Sequence, residues 1–154
     1  MPEFKYRNCW KQEGVTLDEI RKCWESSTDN RWEEEWNNSL LITLENEMNE
    51  VIGFSRAEKK WIGQLKSNLY QIHCFIIPSL RLNGLGKTLL SQSIEFLESV
   101  HQEDQCLGVY CWVTDPQLKA RKNEAIWPYS KMIFLGSSPE GHHLRVRYFK
   151  NTVI

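Results

Sequence analysis

The sequence predicts an α/β (α+β) domain of three layers, with the element order β-α-α-β-β-β-α-β-α-β-β. Two stretches carry this prediction. An apolar run at Tyr70–Ile77 leads through a glycine-bearing loop into residues with helical spacing, and a hairpin pattern precedes it. A second apolar run, Leu107–Val113, is followed by Asp115 and Pro116, which are typical of a helix start. Strands mixed with helices in this way indicate a sheet covered by helices. The 154 residues show no repeat or linker, so we expect one domain over 1–154.

Each predicted element follows from a local pattern. Strands are predicted where apolar residues alternate with polar ones or run continuously between turn residues. The seven predicted strands are Phe4–Trp10, Ser39–Leu44, Val51–Ala57, Tyr70–Ile77, Leu107–Val113, Met132–Gly136 and His142–Phe149. The four predicted helices follow the Thr16–Glu19 capping box, cover Arg31–Asn37, run from about Gly84 to Val100, and run from Asp115 to about Lys131. Trp24, Trp32 and Trp36 fall at helical spacing, which predicts core packing; the alternative is the wall of an apolar ligand pocket.

Composition narrows the class of protein. A formal net charge of −1 argues against a nucleic-acid partner, which usually needs a basic face. No stretch approaches about 18 uninterrupted apolar residues, and the first residues lack a signal-peptide pattern, so a cytoplasmic protein is expected. The five cysteines include no C-x-x-C pair and are expected to be buried, reduced thiols. The adjacent His142 and His143 lack a third ligand nearby, and no metal site is predicted.

The loop after the central strand has the composition of a phosphate-binding site. Arg81–Gly86 reads R-L-N-G-L-G and opens the third predicted helix. A helix N-terminus offers outward-pointing amides and a favourable dipole, and glycines let the backbone approach an anion. An ordinary strand-to-helix turn is the alternative. A nucleoside-triphosphate P-loop is excluded, because Arg81 stands where that motif needs its first glycine.

Two motifs resemble those of the GNAT superfamily of N-acetyltransferases. Arg81–Gly86 fits its (R/Q)-x-x-G-x-(G/A) signature, and Asn123-Glu124-Ala125 with Tyr129-Ser130-Lys131 is similar to its second motif, N-x-x-A-x-x-x-Y-x-K-x-G-F. The element order also matches. The resemblance implies a mixed central sheet of about seven strands with helices on both faces, and acetyl-CoA as co-substrate. The second motif departs from the family pattern in three places. The Asn-to-Ala spacing is one residue shorter, Ile133 replaces the glycine, and Pro128 precedes Tyr129.

The resemblance also implies a set of site residues. The pyrophosphate of CoA would lie on the loop and first helical turn, at Arg81, Leu82, Asn83, Gly84, Leu85, Gly86, Lys87 and Thr88. The backbone of Phe75, Ile76 and Ile77 would pair with the pantetheine arm beside a splayed neighbouring strand, and Asn123 would complete the cofactor site. Tyr129 would protonate the CoA sulfur as a general acid. Many relatives carry a glutamate base where this chain has Tyr70; His73 is the nearby candidate base, and a base-free route through water is the alternative.

The predicted function is acetyl transfer from acetyl-CoA to an amine acceptor, a small molecule or a protein, directly in a ternary complex. Acidic residues in the first half would suit a cationic acceptor, although a solvated charged face is the more usual explanation for them. They are Glu33, Glu34, Glu35, Glu45, Glu47 and Glu50. A catalytically inactive CoA-binding or protein-interaction module is the alternative. A toxin that acylates charged tRNA fits poorly, since the chain has no basic excess. Homodimers are common in the superfamily.

Overall fold

The computed structural model describes residues 3–12, 17–81, 83–121 and 124–150. Seven strands are present: β1 Lys5–Asn8, β2 Leu40–Glu45, β3 Val51–Ile62, β4 Ser67–Ile76, β5 Gly108–Val113, β6 Ile133–Ser137 and β7 His143–Tyr148. The α-helices among these residues are α1 Leu17–Ser27, α2 Leu85–Asp104 and α3 Pro116–Arg121, with 3₁₀ helices at Glu34–Asn38 and Pro78–Leu80. None of the described helices is long and apolar enough to cross a membrane.

The strands form one mixed sheet in the order β1-β2-β3-β4-β5-β7-β6. β4 and β5 are parallel, with Tyr70 opposite Val109 and Gln71 opposite Tyr110. β7 lies antiparallel between β5 and β6. At the other end, β2 lies antiparallel to both β1 and β3. The predicted α+β class and the mixed seven-stranded sheet are confirmed.

The chain divides into two compact units, of which the first comprises the described part of Met1–Ala57 together with His73–Ser93. Its core is aromatic. The Trp24 ring meets the Phe75 ring edge-on at 5.0 Å between centroids, and Phe54 lies 5.5 Å from Phe75. Trp32 is buried against Phe54 at 5.4 Å. The amphipathic face of α1 therefore packs on β3 and β4, and these tryptophans serve the core as predicted.

The second unit comprises Glu58–Ile72 and the described part of Ile94–Ile154. Leu69, Tyr110 and Val146 form its buried centre, with further apolar side chains packed around them. For the segment 58–67 the sequence did not decide between a loop and a strand. In the structure this segment forms the end of β3, a turn and the start of β4. This polar hairpin escaped prediction because most of its residues face solvent. Apolar and polar residues therefore do not alternate along it as they do in a half-buried strand.

The helix predicted from Asp115 to Lys131 is wrong in its second half. α3 ends at Arg121, and Pro128 and Tyr129 lie in a turn. Pro128 has no amide hydrogen and clashes with the preceding turn of a helix, which explains why no continuous helix runs through this part of the chain. The chain instead folds back on itself, with the Phe134 amide bonded to the Ala125 carbonyl at 2.9 Å.

The prediction that the cysteines are buried holds for three of five. Cys9, Cys23 and Cys106 are buried, whereas Cys111 is half-buried and Cys74 is exposed. Cys74 follows His73, which is also exposed. Neighbouring residues of a strand point to opposite faces, so β4 carries an exposed side chain on each face at this point. An apolar run alone could not reveal this exposure.

Candidate functional site

The candidate site begins where β4 ends. The Ile77 amide still bonds to the Ile52 carbonyl of β3 at 3.0 Å, and Pro78 then starts a single 3₁₀ turn. Proline favours this change of direction because it fixes its own φ and cannot donate to a neighbouring strand. The Arg81 amide closes the turn on the Pro78 carbonyl at 3.3 Å. The strand is thereby converted into the predicted loop within four residues.

Arg81 ties the loop back to the strand. Its Nε atom donates a hydrogen bond of 2.8 Å to the Ile76 carbonyl oxygen. The centre of its guanidinium lies 5.5 Å from the centroid of the Phe75 ring. Its planar group therefore bonds to backbone and packs over an aromatic ring at once, which a lysine cannot reproduce. Arg81 was predicted as a cofactor-binding residue, and these two contacts join it to the end of β4.

Gly84 provides the turn into α2. Its φ is +79°, in the region that side chains rarely adopt, and a Cβ atom placed there would meet nothing within 4 Å. Glycine is therefore required for conformation and not for space. The Thr88 amide bonds to the Gly84 carbonyl at 3.2 Å, and the Thr88 hydroxyl donates to the same oxygen at 3.3 Å. Gly84 thus lies at the N-terminal boundary of α2.

The first turn of α2 combines several features that suit an anion. The first amides of an α-helix, here those of Leu85 and Gly86, point out of its N-terminus. The first turn contains no acidic residue, and Lys87 is exposed. A Cβ on Gly86 would lie 4.0 Å from the nearest neighbour, the Ile76 Cγ1 atom. The helix dipole, the cation and the glycine surface together fit a phosphate group.

Tyr6 of β1 lies near this turn, which the sequence did not indicate. Burial raises the pKa of Tyr6, and the Thr88 side chain acts in the opposite direction. Alternation within β1 placed Tyr6 on one face of a strand, but nothing in the sequence indicated that this face meets the start of α2.

The side chains at the end of β4 pack in the core. Phe75 and Ile76 are buried at 9% and 7% exposure, and Phe75 belongs to the aromatic core. Their side chains are therefore occupied by packing, so any bond to a pantetheine arm would use backbone groups, as the resemblance implies. His73, two residues before Phe75, is exposed on β4.

The first unit brings most of the predicted cofactor residues together along one continuous segment. His73, the strand end at Phe75–Ile77, Arg81 and the turn from Asn83 to Thr88 belong to it. Leu82 and Asn123 lie outside the described residues. Tyr129 belongs to the second unit.

Tyr129 lies at the tip of a hairpin-like loop and is 68% exposed. Ile126 pairs with Ile133 in an isolated bridge, and the Trp127 amide bonds to the Met132 carbonyl at 3.0 Å. The Lys131 amide turns back to the Trp127 carbonyl at 2.8 Å. We call residues 124–134 the Tyr129 loop. Its tip presents a phenol to solvent.

Tyr70 cannot replace the glutamate that many relatives carry. It is 1% exposed, and its hydroxyl donates a hydrogen bond of 2.6 Å to the Asp104 carboxylate. Burial, followed by the contact with Asp104, raises the pKa of Tyr70 far above its usual range. The phenol therefore stays protonated and serves the packing of the second unit.

The acidic residues proposed to line an acceptor site do not form one cluster. Glu34 and Glu35 lie in the 3₁₀ helix before β2, whereas Glu47 follows β2. A strand of this length separates its ends by about 20 Å. Glu45 is buried and pairs with Arg7 at 3.3 Å, so it serves the β1–β2 contact. A common acidic lining is therefore wrong, since the sequence did not show that a strand separates the two groups.

No group of three or more histidine, cysteine or acidic side chains among the described residues could hold a metal ion. His143 packs edge-on against Phe134 at 5.1 Å between ring centroids, and the His142 amide bonds to the Ser138 hydroxyl. The histidine pair therefore belongs to the β6–β7 region of the sheet.

A family model and several solved structures indicate the same protein family. The profile of the acetyltransferase (GNAT) family matches residues 6–122. The fold is similar to that of NAA60 from Arabidopsis thaliana, solved with a bisubstrate analogue, at 15% identity, a TM-score of 0.64, and coverage of 99% of this chain and 100% of that one. No curated protein sequence gives a significant match.

Two bacterial structures show the same likeness. One is a phosphinothricin acetyltransferase of the GNAT superfamily from Sinorhizobium meliloti, solved with acetyl-CoA, at 14% identity and a TM-score of 0.67, covering 95% of this chain and 88% of that one. The other is an acetyltransferase of the GNAT family from Streptococcus pneumoniae, at 12% identity and a TM-score of 0.59, covering 96% and 99%. At these identities the likeness concerns the fold.

Proposed function

Because the chain belongs to the acetyltransferase (GNAT) family, we propose that it transfers the acetyl group of acetyl-CoA directly to an amine acceptor. The structure from Sinorhizobium meliloti, with a similar fold, contains acetyl-CoA, and the one from Arabidopsis thaliana contains a bisubstrate analogue. A bisubstrate analogue joins donor and acceptor in one molecule, which suits a ternary complex. The acceptor class proposed is an amine, on a small molecule or a protein.

One observation carries the proposal: the turn at Gly84 delivers the chain into a helix N-terminus that is free of acidic side chains. The pyrophosphate of CoA would bind the amides between Asn83 and Thr88, with Lys87 adding positive charge. Arg81 would act by keeping the loop folded against Ile76. Gly86 would allow the phosphate to approach the backbone, because glycine has no side chain.

The reaction needs a neutral amine, a bound thioester and a proton for the leaving sulfur. Acetyl-CoA supplies the acetyl group as a thioester. The neutral amine attacks the carbonyl carbon, a carbon–nitrogen bond forms, and the carbon–sulfur bond breaks. Tyr129 would donate its phenolic proton to the leaving sulfur and recover a proton from solvent, which its exposure permits. The amine proton would pass to His73, or to water where His73 is not used.

The buried Tyr70 leaves His73 as the candidate base nearest the position that carries glutamate in many relatives. An exposed imidazole can accept a proton and pass it to solvent. His73 is therefore proposed as a proton acceptor on β4, with water as the competing route. Replacing His73 with Gln separates the two, because only the water route would survive.

The test has two stages. Isothermal titration with acetyl-CoA measures binding, and mass spectrometry then measures acetylation across amines of four classes: polyamines, aminoglycosides, peptide N-termini and lysine-containing peptides. Binding followed by acetylation of any acceptor supports the proposal. Binding with no transfer and no thiol release across the panel would instead identify a CoA-binding module without transferase activity. Absence of binding at saturating acetyl-CoA would contradict both.

A further inference from the structure

The Tyr129 loop is held by a charged side chain next to its tip. The Arg147 Nη1 atom on β7 donates a hydrogen bond of 3.1 Å to the carbonyl oxygen of Ser130, the residue directly after Tyr129. Ser130 is buried at 3% exposure, whereas Tyr129 is 68% exposed. One side of the turn is therefore fixed in the protein while its neighbour projects outward. A hydrogen bond to the carbonyl after Tyr129 restrains the backbone from which the phenol extends.

Arg147 is itself oriented from a second direction. Its Nη2 atom lies 3.9 Å from the Oε2 atom of Glu98, which is on α2. The same Glu98 oxygen accepts a hydrogen bond of 3.1 Å from the Lys150 amide. Both partners of the ion pair are largely covered, with side-chain exposures of 17% and 24%. One hydrogen bond and one ion pair restrict the rotation of the guanidinium, so it can fix the position of the Ser130 carbonyl.

The base of the loop is fixed separately by Arg145, whose side chain is buried at 1% exposure. Its Nη2 atom bonds to the Glu124 carbonyl at 2.7 Å, and its Nη1 atom to the Met132 carbonyl at 3.4 Å. Its guanidinium lies 4.3 Å from the centroid of the Trp127 ring. Arg145 therefore holds both sides of the base. Arg147 is the arginine that contacts the tip.

We propose that Arg147 is a positioning residue for Tyr129, acting through the Ser130 carbonyl. The inference rests on the proposed role of Tyr129 as the proton donor in acetyl transfer. A phenol at the tip of an exposed turn donates efficiently only when its turn occupies one geometry, because proton transfer needs donor and acceptor within hydrogen-bond reach. Arg147 would supply that geometry without touching either substrate.

The variants are Arg147→Ala, Arg147→Lys, and each combined with Tyr129→Phe. Arg147→Ala should lower kcat by between about 10-fold and 100-fold and leave the Kd of acetyl-CoA unchanged. Arg147→Lys should restore part of kcat, because an ammonium can still donate to one carbonyl. In the Tyr129→Phe background, Arg147→Ala should cost no further activity, since residues that act as a unit are not additive.

A second readout does not need activity. Hydrogen exchange of the peptide spanning 124–134 should be faster in Arg147→Ala than in the unaltered protein. Arg7→Ala is the matched control, because it removes an arginine of the first unit, whose ion-pair partner is Glu45 at 3.3 Å. The control should leave both kcat and the exchange of 124–134 unchanged.

The outcomes separate the two proposals. Absence of transfer by the unaltered protein contradicts the proposed function, and with it any positioning of a proton donor. Normal transfer with unchanged kcat in Arg147→Ala contradicts the positioning role alone. An Arg147→Ala defect that multiplies with that of Tyr129→Phe also overturns it, because the arginine would then act independently of the phenol.

Discussion

The Nε atom of Arg81 lies 2.8 Å from the carbonyl oxygen of Ile76 and donates a hydrogen bond to it. This bond joins the loop that follows β4 to the last residue of the strand itself. Ile76 is buried at 7% exposure, so water does not easily replace the arginine. The position of the proposed phosphate-binding turn therefore depends on one side chain that returns to the strand it has just left.

Replacing Arg81 with lysine tests whether this residue acts by shape or by charge. Arg81→Lys keeps the charge but loses the Nε donor and the planar group over Phe75. Loss of one hydrogen bond to a buried carbonyl costs about 1 kcal/mol, so we expect acetyl-CoA to bind about fivefold more weakly. Arg81→Ala should weaken binding to a similar degree in the same titration. If Arg81→Lys binds like the unaltered protein and only Arg81→Ala is impaired, the residue acts by charge.

Gly84→Ala should strain the turn without creating a clash. The φ of +79° is unfavourable for alanine, although the space around the new methyl is open. The expected cost is about 1 kcal/mol, or roughly 2–4 °C in Tm for a chain of this size. Differential scanning calorimetry measures this change, with Gly63→Ala as the control. Gly63 also has open space around it. Equal Tm values for the two variants would show that the turn carries no strain.

Tyr129→Phe removes the proposed proton donor and keeps the aromatic ring. A missing general acid lowers turnover by about 10²–10⁴-fold in typical enzymes, so kcat should fall by at least about 100-fold. Because the exposed phenol lies at the tip of a loop, the free energy of unfolding should change little. Steady-state kinetics and titration with acetyl-CoA measure the two effects separately. Normal turnover by this variant would remove Tyr129 from the mechanism.

The stability of the protein should fall between pH 9 and pH 11 in part through Cys23. Burial raises the pKa of the Cys23 thiol from 9.0 to about 11. In this interval the unfolded chain releases the proton while the folded chain retains it, so rising pH favours unfolding. This contribution is complete below pH 9 and is lost as the pH passes 11. Urea denaturation at several pH values should therefore show a shallower decline for Cys23→Ala. Identical slopes would contradict the assignment.

The central strand, the loop and the helix after it could be predicted because their local signals agree. Pro78 stops the strand, Gly84 supplies the turn, and apolar residues from Leu85 onward repeat at helical spacing. Each of these signals acts over a few residues, so tertiary contacts did not need to be known. The fold class and the strand order along the chain followed from the same kind of local pattern.

The Tyr129 loop could not be predicted, because its shape depends on distant side chains. Arg145 lies 13 residues after Met132 in the chain and 21 after Glu124, yet it bonds to both carbonyls. Nothing in the sequence around Pro128 indicates that two arginines of β7 will hold this segment. The alternation of Arg145, Val146 and Arg147 predicted a strand, and alternation normally places charged residues in solvent. Burial of Arg145 was therefore invisible to the pattern.

The acceptor side of the site was poorly specified for a related reason. A count of acidic residues reports composition, while a binding surface depends on which of them share a face. Glu45 forms an ion pair with Arg7, and the other carboxylates come partly before and partly after β2 in the chain. The cofactor side could be predicted more completely, because an anion site made of backbone amides at a helix start depends only on the local turn that precedes the helix.

Titration of acetyl-CoA into Gly86→Glu tests the central claim most directly, because that claim places a pyrophosphate at the start of α2. A carboxylate about 5 Å from the phosphate costs roughly 3 kcal/mol at an intermediate dielectric constant, or about 100-fold in Kd. The control is Gly63→Glu, which adds the same charge at an open glycine in the β3–β4 turn. We expect Gly86→Glu to bind about 100-fold more weakly and Gly63→Glu to bind normally. Equal affinity of both variants for acetyl-CoA would contradict the account.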